Sequence, residues 1–154
     1  MWWVVVVVLA VVLVASYVTW LAARVERLHD RAAAAAAALD AHLVRRAVAA
    51  TSLANGGLPE LRDAARTALA AGPEDRSGAE NDLTRQLRAL EWDPDAMADV
   101  VTTSRRVALA RQVHDDLVRD ALAARRRNIV RMLRLARKYP KPTYFDIEEP
   151  TLGT

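Results

Sequence analysis

The first 23 positions of the chain are apolar except for Ser16 and Thr19, and charged positions then alternate with apolar ones. A bilayer core about 30 Å thick requires about 20 helical residues, so residues 1–23 are long enough to cross a membrane as one tilted helix. Aromatic residues stand near both ends of this run, as expected at a lipid–water interface. They are Trp2, Trp3, Tyr17 and Trp20. This pattern predicts a transmembrane anchor.

A cleaved signal peptide is the alternative interpretation of the same segment. Such a peptide has a basic start, a shorter apolar core and a small-residue cleavage site. No Lys or Arg precedes the apolar run here, and the run is too long, so a retained anchor is favoured. Arg24 and Arg27 follow the run directly, and the positive-inside rule then places the N-terminus outside and the body in the cytoplasm, at the plasma (inner) membrane.

The chain after the anchor predicts a long first helix and a short second one. No helix breaker interrupts it before Leu53, and apolar residues recur at helical spacing at Leu39, Leu43, Ala47 and Ala50. Asn55-Gly56-Gly57 is typical of a helix end, and Pro59 is typical of a first helical turn. The short second helix should then run from about Pro59 to Ala71, before Gly72-Pro73.

Two further helices are predicted in the second half of the body. Ser77 and Glu80 have the spacing of a capping box, which predicts the start of a helix whose buried residues are Leu83, Leu87 and Leu90. Asp93-Pro94 predicts the start of a last helix that continues to Lys138. Its seam alternates steps of three and four, as in coiled coils and helical bundles. The seam residues are Val100, Thr103, Val107, Ala110, His114, Leu117, Ala121, Ala124 and Asn128.

Composition agrees with a helical body. The 22 basic and 19 acidic residues all follow Ala23, and the chain has five Gly, one Phe and no Cys. An aromatic-poor body rich in Ala, Arg and Leu favours helix over sheet, and the lack of Cys excludes disulfides and thiolate metal sites. We predict an all-α protein: a transmembrane anchor (1–23) continuing into an antiparallel helical bundle (24–138), followed by an extended C-terminal tail (139–154).

Four stretches of the chain, in order, resemble the LemA family. They are Leu39–Arg46 (LDAHLVRR) after a membrane span, Glu80–Leu83 (ENDL), Ser104–Asp120 (SRRVALARQVHDDLVRD) and Tyr139–Asp146 (YPKPTYFD). The resemblance implies a single N-terminal span, a cytoplasmic helical bundle and no established catalytic activity.

The sequence departs from the family pattern at two places. The Ile-Pro-Asn that follows the Arg-Arg pair in the family is absent, and the Tyr-Asn pairs of its last helix are replaced by His114-Asp115 and Ala121-Leu122. The chain is thus similar to a divergent member. The Arg45-Arg46 pair matches the family, and we expect it on the bundle surface near the cytoplasmic interface.

Candidate catalytic chemistry is sparse. His29, His42 and His114 have no partner at the spacing of a metal motif, and the chain has neither a nucleophile elbow nor a glycine-rich phosphate loop. His42 and His114 could meet across the bundle near Asp115 or Asp116, but we expect them to be histidines at the seam edge or hydrogen-bonded ones. We expect Asn128 to be a buried polar residue that sets helix register. We therefore predict no cofactor, no metal and no enzymatic activity.

The most pronounced charge feature is a basic segment, residues 125–141, with no acidic residue between Ala121 and Phe145. Its cations are Arg125, Arg126, Arg127, Arg131, Arg134, Arg137, Lys138 and Lys141. Within one helix, Arg127, Arg131, Arg134 and Lys138 would align on one face while Ile129, Leu133 and Ala136 line another. The segment fits contact with anionic lipids, with an acidic protein surface or simply with solvent. The absence of aromatic residues alternating with the cations argues against nucleic-acid binding.

Two functional hypotheses follow from these features. In the first, the protein is an accessory subunit of a larger membrane complex, for which a bacterial respiratory-chain supercomplex is the leading guess. It would contact other integral membrane subunits through its span, its basic segment and a tail in which Tyr144 and Phe145 act as anchors. In the alternative, it self-associates as a homo-oligomeric membrane scaffold or regulator, with small residues packing between copies.

Overall fold

The computed structural model describes residues 1–91 and 93–152, so the last two residues of the predicted tail lie outside the described part. Within that part the protein is all-α and has no strand, with 77% of its residues in helices and a long first helix that packs against the others. The predicted fold class is therefore confirmed. The helices are α1 (Trp2–Ala54), α2 (Pro59–Ala70), α3 (Arg76–Arg88), α4 (Pro94–Arg126) and α5 (Asn128–Met132).

The chain divides into two compact units. The first unit contains Met1–Ala34 and Asp116–Thr143. The second unit contains Ala35–Asp115 and the tail from Tyr144 onward. The first unit therefore combines the start of α1 with a part of the chain more than eighty residues later. The predicted tail is divided, since residues 139–143 belong to the first unit and the residues from Tyr144 onward belong to the second.

The second unit is an antiparallel helical bundle whose core follows the predicted apolar positions. Leu39 and Leu43 of α1 cluster with Val107, whereas Ala54, further along α1, clusters with Val100, earlier on α4. Contacts that advance along α1 while they recede along α4 show that the two helices are antiparallel. Helices α2 and α3 contribute to the same core, and their fully buried residues include Leu61, Ala65, Leu83 and Leu87.

Local sequence signals set most of the helix ends in the second unit. After α1, Gly57 adopts φ 109°, a left-handed conformation that glycine alone tolerates easily, and its amide donates to the Ala54 carbonyl. Pro59 and Pro94 are the first residues of α2 and α4, as predicted. The Asp93 carboxylate accepts from the Asp95 amide at 3.2 Å, so the predicted cap of α4 is also confirmed.

The predicted capping box of α3 is wrong. Helix α3 begins at Arg76, its N-cap residue is Asp75, and no side chain caps it. The Glu80 carboxylate that should reach back to the helix start is instead 1% exposed and bonded to Arg46. A buried ion pair competes for the same side chain and displaces the local interaction.

The first unit joins the N-terminal part of α1 to the end of α4, α5 and the turns that follow. Leu21 and Val25 of α1 form a core with Val130 and Ala136, and Leu135 and Tyr139 pack at its edge. This core begins where the apolar run of residues 1–23 ends. The preceding apolar side chains of α1, from Val4 to Val14, are exposed.

The prediction of one continuous helix from Pro94 to Lys138 is also wrong. Helix α4 ends at Arg126, Arg127 is extended (φ −60°, ψ 131°), and Arg134 has φ 53°. A continuous helix would align four cations at spacings of three and four, where like charges repel. The break separates these cations and allows Val130, which is 1% exposed, to pack on α1. Burying one such side chain contributes about 1.5–3 kcal/mol, which exceeds the loss of helix propensity.

The break changes which residues of the last segment are buried. Ile129 and Leu133, predicted to line an apolar face, are exposed, and Val130 takes their place in the core. Asn128 is also exposed because it is the first residue of α5, so its predicted role in the seam is wrong. The predicted seam positions from Val100 to Ala124 are all buried or half-buried, as expected.

Candidate functional site

The N-terminal part of α1 is an uncovered apolar helix. It is the one helix among the described residues that is long and apolar enough to cross a membrane, and only 6% of its most apolar window is buried. The predicted interface residues are exposed as well: Trp2 and Trp3 at 79% and 62%, Tyr17 at 47% and Trp20 at 50%. A helix in the core of a soluble protein would bury such side chains, so this exposed apolar surface fits a membrane span or a signal sequence.

Aromatic and cationic side chains come together where this apolar surface ends. Tyr17 and Trp20 stack with ring centroids 6.1 Å apart, and the Arg24 guanidinium lies 5.6 Å from the Trp20 ring. Arg27, one turn further on, is exposed. Aromatic side chains followed by arginines along a helix are typical of the boundary between lipid tails and headgroups.

The basic segment follows the same core of the first unit. Arg126, Arg127, Arg131, Arg134, Arg137, Lys138 and Lys141 are exposed, and Arg125 is half-buried. Within the described residues, none of these eight cations forms a salt bridge with a carboxylate. Their positive charge is therefore not neutralised within the described chain.

Four of these arginines surround a shallow surface depression of about 680 Å³. We call it the arginine depression; its lining is Arg125, Val130, Arg131, Arg134, Ala136 and Arg137. Val130 and Ala136 supply an apolar floor that packs on Leu21 and Val25 of α1. A smaller cleft of about 190 Å³ lies nearby in the same unit and contains Arg24, Arg127 and Asp120.

A histidine–arginine contact fixes the segment to α1. The Arg125 Nη1 atom lies 3.1 Å from His29 Nε2 and 3.0 Å from the Tyr139 carbonyl oxygen. Because a guanidinium only donates, His29 Nε2 must accept, and the ring proton then lies on Nδ1, which is 2.8 Å from the Val25 carbonyl oxygen. The His29 ring also stacks on Tyr139, with centroids 5.0 Å apart. His29 thus connects α1 to both ends of the basic segment.

Only one residue of the Arg45-Arg46 pair lies on the surface as expected. Arg45 is exposed, but Arg46 is completely buried in the second unit. Its guanidinium donates to Ser104 Oγ at 3.1 Å, to Thr84 Oγ1 at 2.8 Å and to Glu80 Oε2 at 3.3 Å. We call these four residues the buried polar cluster. They satisfy the arginine inside the bundle and tie α1 to α3 and α4.

Burial also changes the acid–base properties of the cluster. Removal from water raises the pKa of Glu80 to about 7, even though the neighbouring Arg46 cation acts in the opposite direction. Burial likewise lowers the pKa of Arg46, and its largest opposing influence is Glu80. One carboxylate oxygen of Glu80, Oε1, has no hydrogen-bond partner within the described structure. The cluster therefore contains a carboxyl group that titrates near neutral pH.

The tail lies along its own bundle rather than projecting away from it. Ile147 and Leu152 are buried in clusters of the second unit, and the Glu148 amide donates to Asn81 Oδ1 at 2.8 Å. Phe145 packs against the cluster of Leu39 and Leu43, so its predicted role as a free anchor for a partner is corrected. Tyr144, at 51% exposed, points away from this core.

The other candidate residues are dispersed. His114 is buried with Nδ1 3.5 Å from Asp115 Oδ1, and His42 is half-buried. Among the described residues, no group of three or more His, Asp or Glu side chains is arranged to hold a metal ion.

Sequence analysis missed the residues that complete the two polar arrangements. Ser104 and Thr84 lie one position away from the predicted seams of their helices, at Thr103 and Leu83, which was a weak signal for polar side chains directed into the bundle. His29 gave no such signal, because its partner Arg125 lies 96 positions away.

Comparison of the chain with models of protein families, with curated proteins and with solved structures finds no match. The resemblance to the LemA family therefore stays a prediction that rests on the four motifs.

Proposed function

We propose that the protein is a non-enzymatic, single-pass membrane protein that acts as an accessory subunit of a larger membrane complex. The uncovered apolar helix from Trp2 to Trp20 is the observation that carries this proposal. Transferring so many exposed valine and leucine side chains out of water is favourable by about 25 cal/mol per Å² of apolar surface. Residues 1–23 are then the span, and Arg24 and Arg27 favour a cytoplasmic body.

The core of the first unit supports a retained span over a cleaved signal peptide. Leu21, inside the apolar run, is 2% exposed and packs with Val130 and Ala136. Removal of the whole run would delete part of this core. The intact mass of the mature protein tests this point, and loss of about the first 23 residues would contradict the anchor.

Partner binding is supported by apolar side chains that are exposed within the described part of the chain. Leu109 and Val113 lie one turn apart on α4 and are 63% and 48% exposed, and Tyr144 is also exposed. The same apolar pair favours the second candidate function, a homo-oligomeric scaffold of the LemA type, because a surface of this kind can also pair with itself.

Affinity purification of the C-terminally tagged full chain in mild detergent, followed by mass spectrometry, distinguishes the candidates. Recovery of one membrane complex at constant stoichiometry supports the accessory subunit, and respiratory-chain subunits are the first to look for. Recovery of the chain alone in a large assembly supports the scaffold instead. Release of the protein from membranes by alkaline carbonate would contradict both, since each requires the span.

A further inference from the structure

We propose that the arginine depression binds the headgroup of an anionic phospholipid, and that a headgroup with two phosphates, as in cardiolipin, is its preferred ligand. The inference rests on the proposed membrane span of residues 1–23. It adds a defined site to that span, formed by Arg125, Arg131, Arg134 and Arg137 above the apolar pair Val130 and Ala136.

The position of the depression along α1 supports a lipid ligand. Its floor residues pack on Leu21 and Val25, which bracket the last residue of the apolar run. At about 1.5 Å per residue, these contacts lie within about one helical turn of the end of the span. The headgroup layer on each side of the hydrocarbon core is about 5–8 Å thick. With residues 1–23 as the span, the core that carries the arginines therefore lies at headgroup depth.

The positive charge of the depression favours a ligand with more than one phosphate. Four guanidinium groups line the depression, no carboxylate lines it, and none of the four forms a salt bridge within the described residues. Arginine binds phosphate through two parallel hydrogen bonds, which makes it well suited to phosphodiesters. One phosphate would leave most of this charge unmatched, whereas two phosphates on one headgroup match it more closely. A volume of about 680 Å³ is in the range of small-molecule sites.

The contacts of the basic segment give the depression a defined shape. The contacts of Arg125 with His29 and with the Tyr139 carbonyl close the segment onto α1 at both ends. The extended backbone of Arg127 and the positive φ of Arg134 then hold the intervening arginines around one depression instead of along a helix face. A preorganised site loses less entropy on binding than a flexible basic tail would.

The lining favours lipid over nucleic acid. Binding of single-stranded nucleic acid depends on aromatic side chains that stack on bases. No aromatic residue lines the depression, and Tyr139, next to it, already stacks on His29.

The test is a lipid titration of the full chain, delipidated in nonionic detergent, with bound lipids counted by native mass spectrometry. The affinities for cardiolipin, phosphatidylglycerol and phosphatidylcholine are measured for the parent protein and for the variant Arg131→Ala/Arg134→Ala/Arg137→Ala. Each basic residue near an anionic surface contributes a factor of about five in affinity, so the triple variant should bind cardiolipin about 100-fold more weakly. Phosphatidylglycerol should bind the parent more weakly than cardiolipin, and phosphatidylcholine weakest of all.

A matched control removes three exposed arginines of the second unit, Arg66→Ala/Arg105→Ala/Arg106→Ala, and should leave cardiolipin affinity close to that of the parent. The variant Arg131→Lys/Arg134→Lys/Arg137→Lys retains the charge and should recover part of the affinity. Such a recovery would exclude misfolding as the cause of the lower affinity of the alanine variant. Equal losses in both alanine triples would overturn the site in favour of general charge. Displacement of cardiolipin by inorganic phosphate would assign the site to a soluble anion instead. Carbonate extraction tests the span separately, so a protein that stays in the membrane but binds lipid independently of these arginines refutes this inference alone.

Discussion

Replacement of Arg46 by methionine tests how much the buried polar cluster stabilises the second unit. The arginine is fully buried and donates to three side chains, at distances from 2.8 to 3.3 Å. Methionine fills part of the same volume but leaves Glu80 buried without its cation and removes a hydrogen bond from Ser104 and Thr84. Loss of one partner of a buried ion pair costs about 3–5 kcal/mol, and we expect the free energy of unfolding to fall by about that amount.

The double variant Arg46→Met/Glu80→Leu is the matched control. It removes both charges at once, so no unpaired ion stays in the core. Replacing both partners of a buried pair by apolar residues is often neutral or stabilising by about 1–4 kcal/mol. The double variant should therefore be more stable than Arg46→Met, and the single variant Glu80→Leu completes the cycle that gives the coupling energy between the two residues.

The pH dependence of stability gives an independent check. Because burial raises the pKa of Glu80 from 4.5 to about 7, the folded state binds this proton more tightly than the unfolded state. The contribution of Glu80 to stability is then greatest below its unfolded pKa of 4.5 and is lost as the pH rises through about 7. A shift of this size corresponds to about 3 kcal/mol. The cost of Arg46→Met should also increase with pH, because more of the unpaired Glu80 is ionised.

Denaturant unfolding of the full chain in nonionic detergent, followed by far-UV circular dichroism, measures these changes. If residues 1–23 are a membrane span, we expect them to stay helical in detergent, so the transition should report mainly on the bundle. A cost of less than about 1 kcal/mol for Arg46→Met at every pH, with no recovery in the double variant, would refute the reasoning, since such a value is typical of an exposed pair.

Three further changes have defined outcomes. Gly57→Ala should destabilise the bundle by about 1–2 kcal/mol in denaturant unfolding, because φ is 109° there although the space is open; an unchanged midpoint would contradict the turn. His29→Phe keeps the stacking on Tyr139 but removes the acceptor for Arg125, so hydrogen exchange in residues 127–140 should accelerate, whereas unchanged protection would show that the contact is dispensable. Phe145→Ala should cost about 2 kcal/mol, since the ring is half-buried against Leu39 and Leu43, and a partner-binding defect without destabilisation would restore its role as an external anchor.

Much of the candidate membrane site could be read from the sequence, but its shape could not. The exposed aromatic residues, Arg24 and the unneutralised cations all follow from composition along the chain. The arginine depression depends on the break in the helix after Arg126. The break in turn depends on the packing of Val130 against Leu21 and Val25, about a hundred residues earlier in the chain. Helix periodicity describes a straight helix and contains no information on whether an alternative packing is more favourable.

The sequence by itself determined the features that depend on neighbouring residues. A 23-residue apolar run, the turn at Gly57, the prolines that open α2 and α4 and the stripe from Leu39 to Ala50 are set by backbone preferences and by spacing, which act over a few positions. Tertiary structure decided which charged and aromatic side chains are buried. Arg46 is buried because it bonds to Glu80 and Ser104, which lie 34 and 58 positions away in the chain. Phe145 packs against the bundle because the fold brings it to the cluster that contains Leu39 and Leu43. The free energy of a buried charge depends on partners that only the folded chain brings together.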